Sequence, residues 1–77
     1  MPVVFRYNKV RFLFYGNDHL PIHIHAIHAE ASCKVIVGTL EIQNNKGFSS
    51  KDLKLIKGVV EKNRDLIEDA WNEFFKK

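Results

Sequence analysis

The chain has 77 residues, 45% hydrophobic and 12% aromatic, and carries a formal charge of +3 from 12 Lys and Arg against 9 Asp and Glu. A chain of this size buries only about 60% of its unfolded surface, so it holds one domain with a small core and excludes a dinucleotide-binding fold or a deep cleft between domains. It is too apolar to be disordered, has no run near the ~20 apolar residues of a membrane span, and its lone cysteine, Cys33, makes neither a disulfide framework nor a cysteine zinc knuckle.

The first forty residues have a two-residue period, which is the period of a strand. Val3–Arg6 reads as a strand joined through Tyr7-Asn8-Lys9 to a second, in which Val10, Phe12 and Phe14 alternate with Arg11, Leu13 and Tyr15. Gly16-Asn17-Asp18 is a turn, and Pro21 bars a central ladder position beside it. Ile22, Ile24 and Ala26 alternate with His23 and His25 as a third strand. Cys33, Val35 and Val37 alternate with Lys34 and Ile36 as a fourth. Gly38-Thr39 turns into a short strand, Leu40–Gln43, and Asn44-Asn45-Lys46-Gly47 ends the sheet.

The remainder is helical. Ser49 and Asp52 form a capping-box pair, and Phe48 and Leu53 stand where a hydrophobic staple places them. Leu53, Ile56, Val60, Ile67, Ala70, Trp71 and Phe74 give one apolar face. An unbroken helix over 50–75 would be ~39 Å long, more than a domain this small can cover. Asn63-Arg64-Asp65 looks like a fresh start, so a kink or break is expected near Lys62–Asn63. The predicted fold is α+β. A small antiparallel sheet of four to five strands precedes one kinked or two C-terminal helices on one face, in a single domain over 1–77.

Polar chemistry concentrates in Asn17-Asp18-His19-Leu20-Pro21-Ile22-His23-Ile24-His25. Strand alternation puts His23 and His25 on one face, about 7 Å apart, with Ile22 and Ile24 turned to the core. His28 breaks the parity. Three readings fit these residues. A His-x-His pair with Asp18 or His19 is a metal clip. Imidazoles beside a carboxylate are also an acid–base set, with Arg6, Lys9, Arg11 and Lys34 as cations around a phosphate. The third reading is structural: Asp18 closes a turn, and the histidines are polar residues on the solvent face of a sheet. The residues alone leave the three open.

Elsewhere, Trp71, Phe74 and Phe75 read as helix–sheet packing. Tyr7, Phe12, Phe14 and Tyr15 form a stacking surface only in part, because a helix must cover one face. Lys51, Lys54 and Lys57 form a basic stripe, and Cys33 reads as an inert core thiol. Met1–Arg6 lacks a secretory pattern, which with a single thiol points to a cytoplasmic protein.

Asp18-His19-Leu20-Pro21-Ile22-His23-Ile24-His25-Ala26 resembles the Asp-His-x-Pro-Pro-His-x-His-Val signature of the bacterial domain-of-unknown-function family 4160. The resemblance extends over nearly the whole chain, from Met1-Pro2 and the aromatic strand through Tyr15 to Leu66-Ile67-Glu68-Asp69-Ala70-Trp71, which resembles the family's closing Leu-x-x-x-Trp segment. Ile22 replaces the second proline and Ala26 the valine, while every ionisable group is kept. Members are small cytoplasmic proteins, often encoded beside members of domain-of-unknown-function family 2442 in what resembles a toxin–antitoxin pair. The resemblance thus implies a toxin-like component with Asp18, His19, His23 and His25 as its motif residues; joined to the acid–base reading of the residues, it leads to the expectation of action on RNA, with Arg6, Lys9, Arg11 and Lys34 binding nucleic acid. The expected partner is a small protein encoded next door. No cofactor is expected, a divalent metal at His23 and His25 being the less favoured variant. The alternative is a non-catalytic regulatory module that binds protein or nucleic acid.

Overall fold

Alternating β-branched and aromatic residues build five antiparallel strands: β1 (Val3–Tyr7), β2 (Val10–Leu13), β3 (His23–His28), β4 (Ala31–Ile36) and β5 (Ile42–Lys46). The computed structural model describes residues 3–76, so the Met1-Pro2 opening of the family resemblance lies outside the described residues. Each strand pairs with the next, giving the order β1-β2-β3-β4-β5. The β1–β2 connection is two residues, Asn8 and Lys9, with φ of 48° and 70°. Two consecutive left-handed residues match the right-handed twist of the flanking strands.

Two helices follow, α1 (Ser50–Lys62) and α2 (Arg64–Phe74). The expected capping box is present: the Asp52 N–H donates to Ser49 Oγ at 3.1 Å, and the Ser49 N–H donates to Asp52 Oδ2 at 3.2 Å. The break falls at Asn63, whose side-chain amide donates to the Val59 carbonyl at 2.8 Å and so competes with the helix for that acceptor. Arg64 then donates to the carbonyls of Val37 and Gly38 at 3.1 and 3.2 Å, tying the start of α2 to the turn after β4.

The register sorts the sheet into two faces. Phe12, Ala26 and Cys33 are direct neighbours across β2, β3 and β4, and Ile24, Val35 and Ile42 form the next row. On this first face they meet Phe48, Ile56, Val60, Ile67 and Trp71 in one continuous core. Phe5 stacks on Phe12 at 4.6 Å, and Phe14 meets Trp71 edge-on at 5.2 Å. The stacking surface considered from sequence is therefore split, because Phe12 and Phe14 are core.

The opposite rows are Arg6, Arg11, Ile27 and Ser32, then Leu13, His25, Lys34 and Gln43, then His23 and Ile36. None of these residues belongs to the core shared with the helices.

The sequence misplaced the last strand. Leu40–Gln43 was the expected span, but Leu40 sits at φ 63° and its N–H donates back to the Ile36 carbonyl at 2.7 Å, so residues 37–41 form the turn. Asn44, Asn45 and Lys46 continue β5 instead of ending the sheet. Asn44 tolerates φ 55° there, beside a bulge in the pairing with β4. Gly47 ends the sheet at φ 89°, where an added Cβ would come within 3.1 Å of the Ala31 Cβ.

Candidate functional site

Tyr15-Gly16-Asn17-Asp18 closes as a doubly bonded turn. The Asp18 N–H donates to the Tyr15 carbonyl at 3.1 Å, and the Tyr15 N–H donates to Asp18 Oδ2 at 2.9 Å. This turn folds the chain back so that the Asp18 carboxylate faces β3. There the imidazoles of His23 and His25 point at it together. His23 Nε2 lies 3.2 Å from Asp18 Oδ1, and His25 Nε2 lies 3.2 Å from both carboxylate oxygens.

The second nitrogen of His23 is committed as well. Nδ1 lies 2.8 Å from the Pro21 carbonyl, which can only accept, so Nδ1 carries a proton. The ring is also held by packing, with its centroid 5.2 Å from that of His25 and 5.4 Å from that of Trp71. Tyr15 packs against His25 at 4.3 Å. The side chains of His23 and Asp18 are only 8% and 10% exposed, and that of His25 17%. The expectation of histidines on an open solvent face thus fails for His23: the loop before β3 and Trp71 of α2 together enclose its ring.

Burial pushes the Asp18 carboxyl up, but the Tyr15 N–H and the two imidazoles outweigh it, and the net shift is below the usual carboxylate range. Burial pushes His25 below its ordinary value, against the opposing pull of Asp18. Read as an ion pair, the two directions disagree, since a paired imidazole would rise. Read as an ionised carboxylate beside a neutral ring, they agree, and the burial of His25 favours this second description.

A concavity of about 370 Å³ opens beside the cluster, bordered by Asp18, His19, His23, Lys34, Ile36 and Gln43. Of the four residues expected to carry chemistry, Asp18, His23 and His25 converge, with one donor atom from each lying within 4.8 Å of the others. His19 is exposed; it borders the concavity and stands apart from the converging donors. Of the four expected phosphate-binding cations, Arg6, Arg11 and Lys34 share the histidine face, whereas Lys9 lies in the β1–β2 turn. Lys46, opposite Ser32, joins that face and was not expected. Tyr15, Trp71 and the Pro21 carbonyl are further site groups that the spacing of ionisable residues does not reveal.

Arg6 and Arg11 stand directly opposite each other, an arrangement that costs stability unless an anion intervenes. Among the described residues neither is paired with a carboxylate. Cys33 is buried, and its thiol is pushed up to about 11 by burial, which leaves it unreactive at neutral pH. No helix among the described residues is long and apolar enough to cross a membrane.

No curated protein and no solved structure matches this sequence. A family model does, over residues 10–72, which takes in β2, the histidine strand and nearly all of both helices. The sequence motif, its placement in a carboxylate–imidazole cluster and this match lead to one assignment: the chain belongs to the family described as domain of unknown function DUF4160.

Proposed function

We propose that this protein is a small toxin-like component of a two-protein pair and that it acts on RNA across the face of the sheet opposite the helices. The observation that carries the reading is the composition of that face. Arg6, Arg11, Lys34 and Lys46 stand in cross-strand rows around a buried Asp18–His23–His25 cluster and a concavity that also meets His19. A backbone of phosphates is attracted by spaced cations, and a single strand lies across an open sheet more readily than a duplex does. In this reading Lys34 and His19 meet a phosphate at the concavity, the basic residues hold the flanking nucleotides, and the carboxylate–imidazole cluster carries the chemistry.

The two-protein arrangement comes from the family resemblance. It is supported by large apolar side chains left half-exposed on the helices, Leu55 and Leu66 among them, which a partner would cover. The test is induced expression in a bacterial host, with and without the neighbouring gene. The wild type slows growth, the partner relieves it, and the His23→Ala/His25→Ala variant is harmless at equal soluble yield. Unimpaired growth with the wild-type chain alone contradicts the toxin reading.

A further inference from the structure

We infer that Asp18, His23 and His25 form a binding site for a divalent first-row transition metal, with zinc as its simplest occupant. The ring of His23 is fixed in orientation. The Pro21 carbonyl holds a ring proton on Nδ1, which leaves Nε2, 3.2 Å from Asp18 Oδ1, as the nitrogen free to ligate a metal. A proton holds such a nitrogen and carboxylate together in the metal-free chain, and a metal ion takes its place on binding. His25 directs its Nε2 to the same carboxylate from the other side, at the same distance. Three donors of the types that bind zinc, iron or cobalt therefore converge on one point.

The spacing fits an ion. Ligand bonds of about 2.1 Å in tetrahedral geometry place neighbouring donors ~3.4 Å apart. Both carboxylate–imidazole separations are already 3.2 Å, so only the edge between the two histidines has to close from its present limit of 4.8 Å. The surroundings also match those of a metal site. A ligating histidine usually donates its other ring N–H to a carbonyl or carboxylate, which orients the ring, and His23 does this through Pro21. The Tyr15 N–H steadies Asp18 Oδ2 in the same way.

Three protein ligands leave at least one coordination position, and the cluster borders the concavity that holds Lys34 and His19. That is the layout of a site that presents a metal-bound water to a ligand. If the RNA reading above is right, this water, not a free imidazole, is the group that handles the proton. That role rests on the reading, while the binding of metal does not.

The test uses the full chain, purified without a histidine tag and stripped with a chelator. Titration with zinc and with cobalt should show saturation at one equivalent, a rise in the melting midpoint of roughly 10–20 °C at a hundredfold excess over Kd, and the visible absorption of cobalt with low coordination number. Asp18→Asn and His25→Gln should each weaken binding at least ~10-fold, and His28→Ala should leave it unchanged. Should either variant fail to fold, long-range proton–nitrogen spectra of the wild type replace it. Zinc should move the ring nitrogens of His23 and His25 and leave those of His28 in place. No saturable uptake, full affinity in both site variants, or ring signals that do not move would each overturn the assignment. Metal uptake in a chain that has no effect on growth would instead contradict the toxin reading and leave the site intact.

Discussion

The two faces of one sheet carry opposite kinds of information. On the first, Phe12, Ile24, Ala26, Cys33 and Val35 meet the helices in a closed apolar core, and their side chains are interchangeable in chemistry if not in shape. On the second, at the alternate positions of the same strands, exposed and half-buried cations stand around an Asp18–His23–His25 cluster that the loop before β3 closes. The core lies on the first face and the candidate site on the second. The strand period that separates them is why a 77-residue chain can carry both.

That division predicts an ordering of effects. The largest belongs to the covered face. Phe12 is buried, stacked on Phe5 and carried by an interior strand, so Phe12→Ala should cost ~3–5 kcal/mol in urea unfolding, enough to unfold much of a domain this small. Arg11→Ala, its neighbour on the other face, should change stability by less than ~0.5 kcal/mol, and it should be neutral to favourable because Arg6 faces it. Comparable losses from the two variants would erase the distinction.

The next effect is on pH. Asp18 is held below its ordinary value in the folded chain, so its contribution is present at neutral pH and is lost as the pH falls through that lowered value. His25 is held below 6.5, so the unfolded chain takes up its proton first and stability drops as the pH falls below about 6.5. Both act in the same direction. The urea midpoint of metal-free protein should fall from pH 7 to pH 3, with His25 acting below about pH 6.5 and Asp18 below about pH 4, and His25→Gln should flatten the upper part of that decline. A midpoint that rises over this range contradicts the cluster as described.

The smallest effect tests a position that belongs to neither face. Gly58 lies inside α1 with open space around its missing Cβ. Gly58→Ala should therefore stabilise by ~0.5–1 kcal/mol, read as a higher melting midpoint, without altering metal or RNA binding.

Most of the covered face was legible in the sequence, because alternation and helical spacing report which side of an element is apolar. The capping box at Ser49 and the break at Asn63 were legible too, since both are local chemistry. The enclosure of His23 was not. Alternation assigns a residue to a face but says nothing about a loop that returns over it, and the fold-back depends on the pairing of Tyr15 with Asp18. One signal was available. Phe12-Leu13-Phe14 breaks the alternation with three apolar residues in a row, and Leu13, on the second face beside His25, is indeed buried. An apolar residue at an outward position marks where that face is covered. The start of β5 was missed for a different reason: Leu40 adopts a left-handed conformation that leucine rarely takes, and no residue type announced it.

The central claim is that the face opposite the helices is the working face. It is tested most directly by the affinity of a fluorescent single-stranded RNA for two charge-reversed variants. Arg11→Glu/Lys34→Glu alters the histidine face, and Lys51→Glu/Lys54→Glu alters the exposed surface of α1 by the same total charge. The first should lose roughly tenfold or more in affinity and show a shallower salt dependence, while the second changes little. Equal losses, or a larger loss from the helix variant, would contradict the account.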